Sequence, residues 1–442
     1  MNFFKIIAFF LLINFTTLSG AENNVIEINK GNSSAINIAI AQSKISSYVS
    51  QSFATDITNL IKEDLTSSGF FRVISDEAFI ERKIGISHTP LYSSWRQINA
   101  ALLLNMEIKK LDGKNDEYDV SIVLWDIVLN KSIVGQSFEF NKKLWRRVAH
   151  KIADKIYEQV TAQDGYFDTK IVYVAEYFSN KKKITRLAMM DVDGKNHVYL
   201  TDGKDLVSTP RLSPDGTKIL YLSYERKKPR VFIYDMITGK ERILGHFKGL
   251  SFAPRFSPDG KKSVMSIANN GMINIFEIDM RSFRMKKLTD NFGINTSPCY
   301  SPDGSKIVFN SDISGYRHLY IMDFDGSNKK RISFGSGIYA SPVWSPKGDM
   351  VACTRITKDQ GFNISILDIN SGNERIISSG YLVENPSWAP NGTMVSYTKF
   401  DFPTQESSYL GKIYVVDIAG RNEKQIITPR GSKMPEWYKP LD

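Results

Sequence analysis

Cysteine and histidine are scarce in this chain, whose 442 residues include two of the first and five of the second. Two cysteines cannot build a disulfide framework; Cys299 and Cys353 leave a single bridge open in an oxidising compartment, with two buried free thiols the favoured reading. His88, His150, His197, His246 and His318 stand at no ligand spacing, so neither a metal nor a cofactor is implied. A Gly-x-Ser-x-Gly nucleophile elbow is also missing, which removes the commonest hydrolase signature. Long apolar runs are absent after the first 21 residues, so no segment of the remainder spans a bilayer. A one-sided charge run is lacking too. The net charge of +10 is spread over scattered lysines and arginines without interleaved aromatics, which speaks against nucleic acid as a partner.

The first 21 residues have their own logic. Lys5 supplies a positive charge, 6–15 is almost unbroken apolar chain, and Ser19 and Ala21 are small. That layout predicts a cleaved signal peptide over 1–21, cut between Ala21 and Glu22, and an exported mature chain.

The second half is periodic. Ser-Pro-Asp-Gly-like turns begin at Ser213, Ser257, Ser301, Ser345 and, degenerate, Ala389, each 44 residues after the last. A proline stands three residues before each turn, and Pro435-Glu436-Trp437 repeats the start of the unit near the C-terminus. Proline presets the turn, aspartate bonds the local backbone, and glycine accepts the closing geometry. Four short strands per unit make one propeller blade. Counting each strand type along the chain gives six. The first unit lacks its proline strand and the last has a proline strand to spare, so the C-terminal strand should complete the first blade. The interval from Pro386 to Pro435 is 49 residues, and the excess falls in 400–412.

Residues 36–165 do not repeat and predict a separate α+β domain. Ile45, Val49, Phe53, Ile57, Leu60, Ile61 and Leu65 make one apolar helical stripe that Gly69 terminates. Leu144, Val148, Ile152, Ile156 and Val160 mark a second helix. Strands are expected at 36–40, 70–74, 101–109, 118–128 and 132–140, with both helices on one face of the sheet. Trp95, Trp125 and Trp145 read as core. The fold class is thus an α+β N-terminal domain followed by an all-β six-bladed propeller over 166–442.

The turns are structural, so the variable residues before each proline are the candidate site. They read as loops converging on the channel mouth: Ser208 and Thr209, Ser251 and Phe252, Asn295 and Thr296, Tyr339 and Ala340, Val383 and Glu384, Lys433 and Met434. Phe252, Tyr339 and Met434 are expected to be exposed and to anchor a protein partner.

With an export signal, a small α+β domain and Pro-x-[Phe/Tyr/Trp]-Ser-Pro-Asp-Gly blades, the chain resembles the TolB family of the Tol-Pal system. Glu384-Asn385-Pro386-Ser387-Trp388-Ala389-Pro390-Asn391-Gly392-Thr393-Met394 and Pro435-Glu436-Trp437 carry the resemblance most closely. The resemblance implies a monomeric, non-enzymatic periplasmic adaptor that maintains the outer membrane and supports its invagination at division. It implies a TolA-like inner-membrane partner for segment 22–35, through Glu22, Val25, Ile26, Glu27 and Ile28. It also implies a Pal-like outer-membrane lipoprotein on the propeller's channel face. The strand-forming composition of 25–28 suits addition to a sheet edge. The alternatives are a propeller lyase or hydrolase acting on an envelope saccharide or peptide, and a general envelope scaffold. The enzyme would need converging acid, base or metal ligands at the mouth.

Overall fold

A computed structural model describes residues 35–440 except 82–84, 114–115, 226–228, 246, 248, 292 and 403–408. The expected signal peptide over 1–21, its expected cleavage site and segment 22–35 up to residue 34 lie outside the described residues, as does His246.

The N-terminal sheet is mixed, in the order Phe71–Val73, Ile36–Ile40, Leu102–Lys110, Glu117–Asp126, Lys131–Asn141. The first three run parallel and the rest antiparallel. Alternation decides its faces. Ile38 and Ile40 join Leu104, Met106 and Ile108 beneath two long helices, α1 (Gln51–Ser67) and a later one. Ala39 and Leu103 point the other way, onto Trp95 of a short helix, α2 (Tyr92–Gln97). The later helix, α3 (Trp145–Thr161), packs against α1.

Helix α1 begins later than its apolar stripe suggests. Ser50 caps it, its hydroxyl accepting from Phe53 N at 3.3 Å. Ile45 instead belongs to a two-residue strand, Lys44–Ile45, and Val49 to the connection. Trp95 is buried, with Nε1 donating to Glu81 Oε2 at 2.9 Å, whereas Trp125 and Trp145 are half-buried against the two cores.

Six four-stranded sheets follow. In five of them the strands are consecutive. In the first blade, Gly431–Tyr438 supplies the innermost strand and pairs antiparallel with Lys170–Ser179. The inner strands contact one another in a closed ring, so the sheet edges that would line the axis are arranged around one channel.

The Ser-Pro-Asp-Gly turns work as their composition dictates. Ser257 Oγ donates to Asp259 Oδ1 at 2.6 Å and accepts from Lys262 N at 3.0 Å. In Ser345-Pro346-Lys347-Gly348 the usual aspartate is replaced by lysine. Asp349, one place beyond the glycine, takes the Ser345 hydroxyl at 2.7 Å instead. Both cysteines are buried free thiols. Among the described residues no helix is long and apolar enough to cross a membrane.

Candidate binding face

Among the described residues the N-terminal domain touches one end of the propeller. Its contacts fall on hairpin turns of the first and sixth blades. Arg146 pairs with Asp193, and Asn391 Nδ2 donates to Asp164 O at 2.7 Å. A Cβ placed on Gly69 would meet the Asn422 side chain at 2.3 Å, so the end of α1 is itself a contact. The core is continuous across this seam, running from Tyr157 through Tyr166 and Phe167 to Trp437. The hairpin turns of a blade alternate between its two ends, so the start of every inner strand opens on the opposite face.

Those starting segments hold the residues before the prolines. They are not loops. Each lies in or directly before an inner strand, and each strand carries a register shift there, between Ser208 and Arg211, Phe252 and Arg255, Thr296 and Cys299, Ala340 and Val343, Glu384 and Ser387, and Lys433 and Glu436. The residue before each proline is left-handed: Thr209, Ala253, Ser297, Ser341, Asn385 and Met434 have φ between 49° and 57°. This is a repeated β-bulge. Proline follows it without penalty, because an inner-strand N–H would face the channel unpaired.

The bulge corrects the expected exposures. Tyr339 is 1% exposed, with its hydroxyl donating to Glu374 Oε2 at 2.7 Å and its ring beside Arg355. Phe252 and Met434 are half-buried against blade cores. Ser251 and Val383 are buried, as is Asn295, whose Nδ2 donates to Asn291 Oδ1 at 2.6 Å. Ser208, Thr209, Thr296, Ala340, Glu384 and Lys433 keep partial access. Lys433 Nζ lies 2.7 Å from the buried Glu176. Burial alone would raise the Glu176 carboxyl, but Lys183 and Lys433 outweigh it and hold it below its ordinary value. Burial pushes Glu384 up, with Lys433 opposing.

The face has a second feature, which the repeat reading passed over. Large apolar side chains stand exposed on the outer connections at this same end. Tyr316 is 72% exposed and Phe402 70%; Phe334 and Tyr381 also protrude, as does Leu250 at the start of an inner strand. Their common position at one end of the strands makes a broken apolar rim around the mouth, of the kind that marks association surfaces. Tyr316, Phe334, Tyr381 and Phe402 lie in connections between strands, which vary more between units than the turns do. That variability was the available signal.

The seam holds the other unanticipated cluster. His150 Nδ1 lies 2.7 Å from Asp64 Oδ2 with both side chains buried. Burial disfavours the imidazolium, but the bond to Asp64 outweighs it and holds His150 above its ordinary value. One ligand atom each from His150, Asp191 and Asp193 lie within 4.8 Å of one another. Both carboxylates are already balanced, Asp193 by Arg146 and Asp191 by Lys170, so the group is an ion network joining the domains.

A closed six-bladed propeller with an α+β domain clasped to one end defines the class. The model of the TolB beta propeller domain matches residues 157–441 and that of the TolB amino-terminal domain residues 24–133. The chain belongs to the TolB family. Tol-Pal system protein TolB of Rickettsia rickettsii (strain Sheila Smith) is 50% identical over 245 residues, 55% of this chain and 54% of that protein. The namesake of Rickettsia felis (strain ATCC VR-1525 / URRWXCal2) is 49% identical over 243 residues, 54% of each. The chain thus spans about half the length of the curated relatives it matches. The crystal structure of TolB from Acinetobacter baumannii superposes with a TM-score of 0.82 at 27% identity, over 92% of this chain and 97% of that one.

Proposed function

We propose that the chain is a non-enzymatic periplasmic adaptor of the Tol-Pal system. In this reading residues 1–21 direct export and are removed after Ala21. Segment 22–35 takes a TolA-like inner-membrane protein, 36–165 forms the clasped domain, and the mouth of propeller 166–442 seats a Pal-like outer-membrane lipoprotein. The linkage serves outer-membrane integrity and invagination at division. The observation that carries the reading is the apolar rim around the mouth, on the end opposite the contacts that the described N-terminal domain makes. Aromatic anchors at an accessible mouth with partly exposed polar residues inside it suit recognition of a folded protein.

Two variants separate the two contacts. Deleting 22–30 should abolish capture of a TolA-like protein and spare the lipoprotein. Tyr316→Asp with Phe402→Asp should do the reverse, and the stability change should stay within about 0.5 kcal/mol per exposed site. Full lipoprotein binding by the mouth variant would defeat the proposal, as would loss of both partners on deletion.

A further inference from the structure

Just past the prolines, three charged side chains from three inner strands meet in the channel. Arg211 follows Pro210 in the second blade, Arg255 follows Pro254 in the third, and Glu436 follows Pro435 in the first. Arg211 Nη1 is 3.4 Å from Glu436 Oε2, and Arg255 Nη1 is 3.6 Å from Glu436 Oε1. The third and first blades are not neighbours, so the contact between Arg255 and Glu436 crosses the channel. The equivalent positions in the other blades are Cys299, Val343 and Ser387, which bring no charge. The waist therefore holds two cations and one anion.

The trio is loosely paired. Charge-assisted bonds between nitrogen and oxygen close to about 2.7–2.9 Å, and neither contact does. Glu436 Oε2 is buried with no hydrogen-bond partner among the described residues. The Arg211 guanidinium donates to Pro210 O at 2.7 Å. Each of the three side chains keeps between 11% and 14% of its surface open. Burial, with the neighbouring Arg255 adding to it and Glu436 opposing, brings Arg211 down to about 10.

We propose that this waist is a carboxylate-binding site, with Arg211 and Arg255 as its donors. Two forked guanidiniums match the two oxygens of a planar carboxylate. A monoanion brings the waist to neutrality, whereas a phosphate dianion would overshoot and meet Glu436. The carboxylate enters from the mouth, either as a small molecule or as an acidic side chain of a protein seated there. The site rests on the channel geometry and stands whether or not the adaptor reading does.

The test uses the purified chain in low-chloride buffer with two probes followed by NMR line broadening. One is acetate. The other is acetyl-Gly-Glu-Gly-amide, with its glutamine counterpart as control. Acetate should bind, and Arg255→Gln should weaken it about tenfold or more, the loss of about one charge-assisted contact. Glu436→Gln removes the competing internal carboxylate and should tighten acetate by about tenfold. Opposite responses to two charge-neutralising changes cannot arise from a damaged ring. Binding of the glutamate peptide at least as tightly as acetate, with the glutamine peptide rejected, assigns the site to a docked protein's side chain. Acetate binding with the glutamate peptide excluded assigns it to a small molecule. Absence of acetate binding, or binding indifferent to Arg255→Gln, overturns the proposal.

Discussion

Replacing Trp437 with alanine removes the side chain that fastens the closing strand. The indole is 6% exposed in the core shared by propeller and N-terminal domain, 6.0 Å from the Tyr166 ring. Its Nε1 donates to Thr169 Oγ1 at 2.8 Å. Truncating a buried tryptophan costs about 3–5 kcal/mol, and the orphaned threonine acceptor adds about 1 kcal/mol. A loss near 5 kcal/mol is a third or more of the usual total stability of about 5–15 kcal/mol. Trp437→Phe keeps most of the ring and forfeits the Thr169 bond, so it should lose only about 1–2 kcal/mol. Urea unfolding measures both, and limited proteolysis within 431–438 reports whether the closing strand detaches. An alanine loss under about 2 kcal/mol, or equal losses for alanine and phenylalanine, would refute the reasoning.

Two further outcomes follow from the propeller. A Cβ on Gly249, at φ +105°, would stand 2.2 Å from Ala268 O, so Gly249→Ala should cost about 2–3 kcal/mol. Gly271, at φ +79° with nothing within 4 Å of its Cβ, should lose only about 1 kcal/mol on the same change, and thermal melts compare the two. Burial, helped by Arg331, brings the His318 imidazole down to about 4. The unfolded chain then takes up this proton first, so stability present above pH 6.5 falls as pH drops towards 4, by up to about 1.4 kcal/mol per unit. His318→Asn should remove that part of the slope between pH 7.5 and 5. Coincident slopes would mean that the histidine is not held neutral.

The ring could be read from the sequence because its signals are local. Proline, aspartate and glycine act on their own turn, and the 44-residue interval repeats them in step. The closing strand was visible for the same reason, as a proline unit without followers. The bulge was not. A proline after a small polar residue has the same local signature in a loop as in an inner strand, and only pairing with the next strand separates them. Tyr339 illustrates the consequence: its burial depends on Glu374, 35 residues away. The His150–Asp64 contact spans 86 residues, and no spacing along the chain announces it. The start of α1 was overrun by a misleading continuation of the stripe, although Ser50 was present as a capping signal. The apolar rim lies in the segments that break the repeat, where a periodic reading has least to compare.

The strand that completes the first blade also sets an order of events. Trp437 and Thr169 are 268 residues apart. While the intervening five blades form, Lys170–Ser179 stands as an unpaired edge, open to any extended chain nearby. Long-range pairing of this kind is slow, so the vulnerable period falls between synthesis of the first blade and arrival of the last strand. Damage to 431–438 should therefore appear in the yield of folded chain before it appears in the stability of the chains that fold.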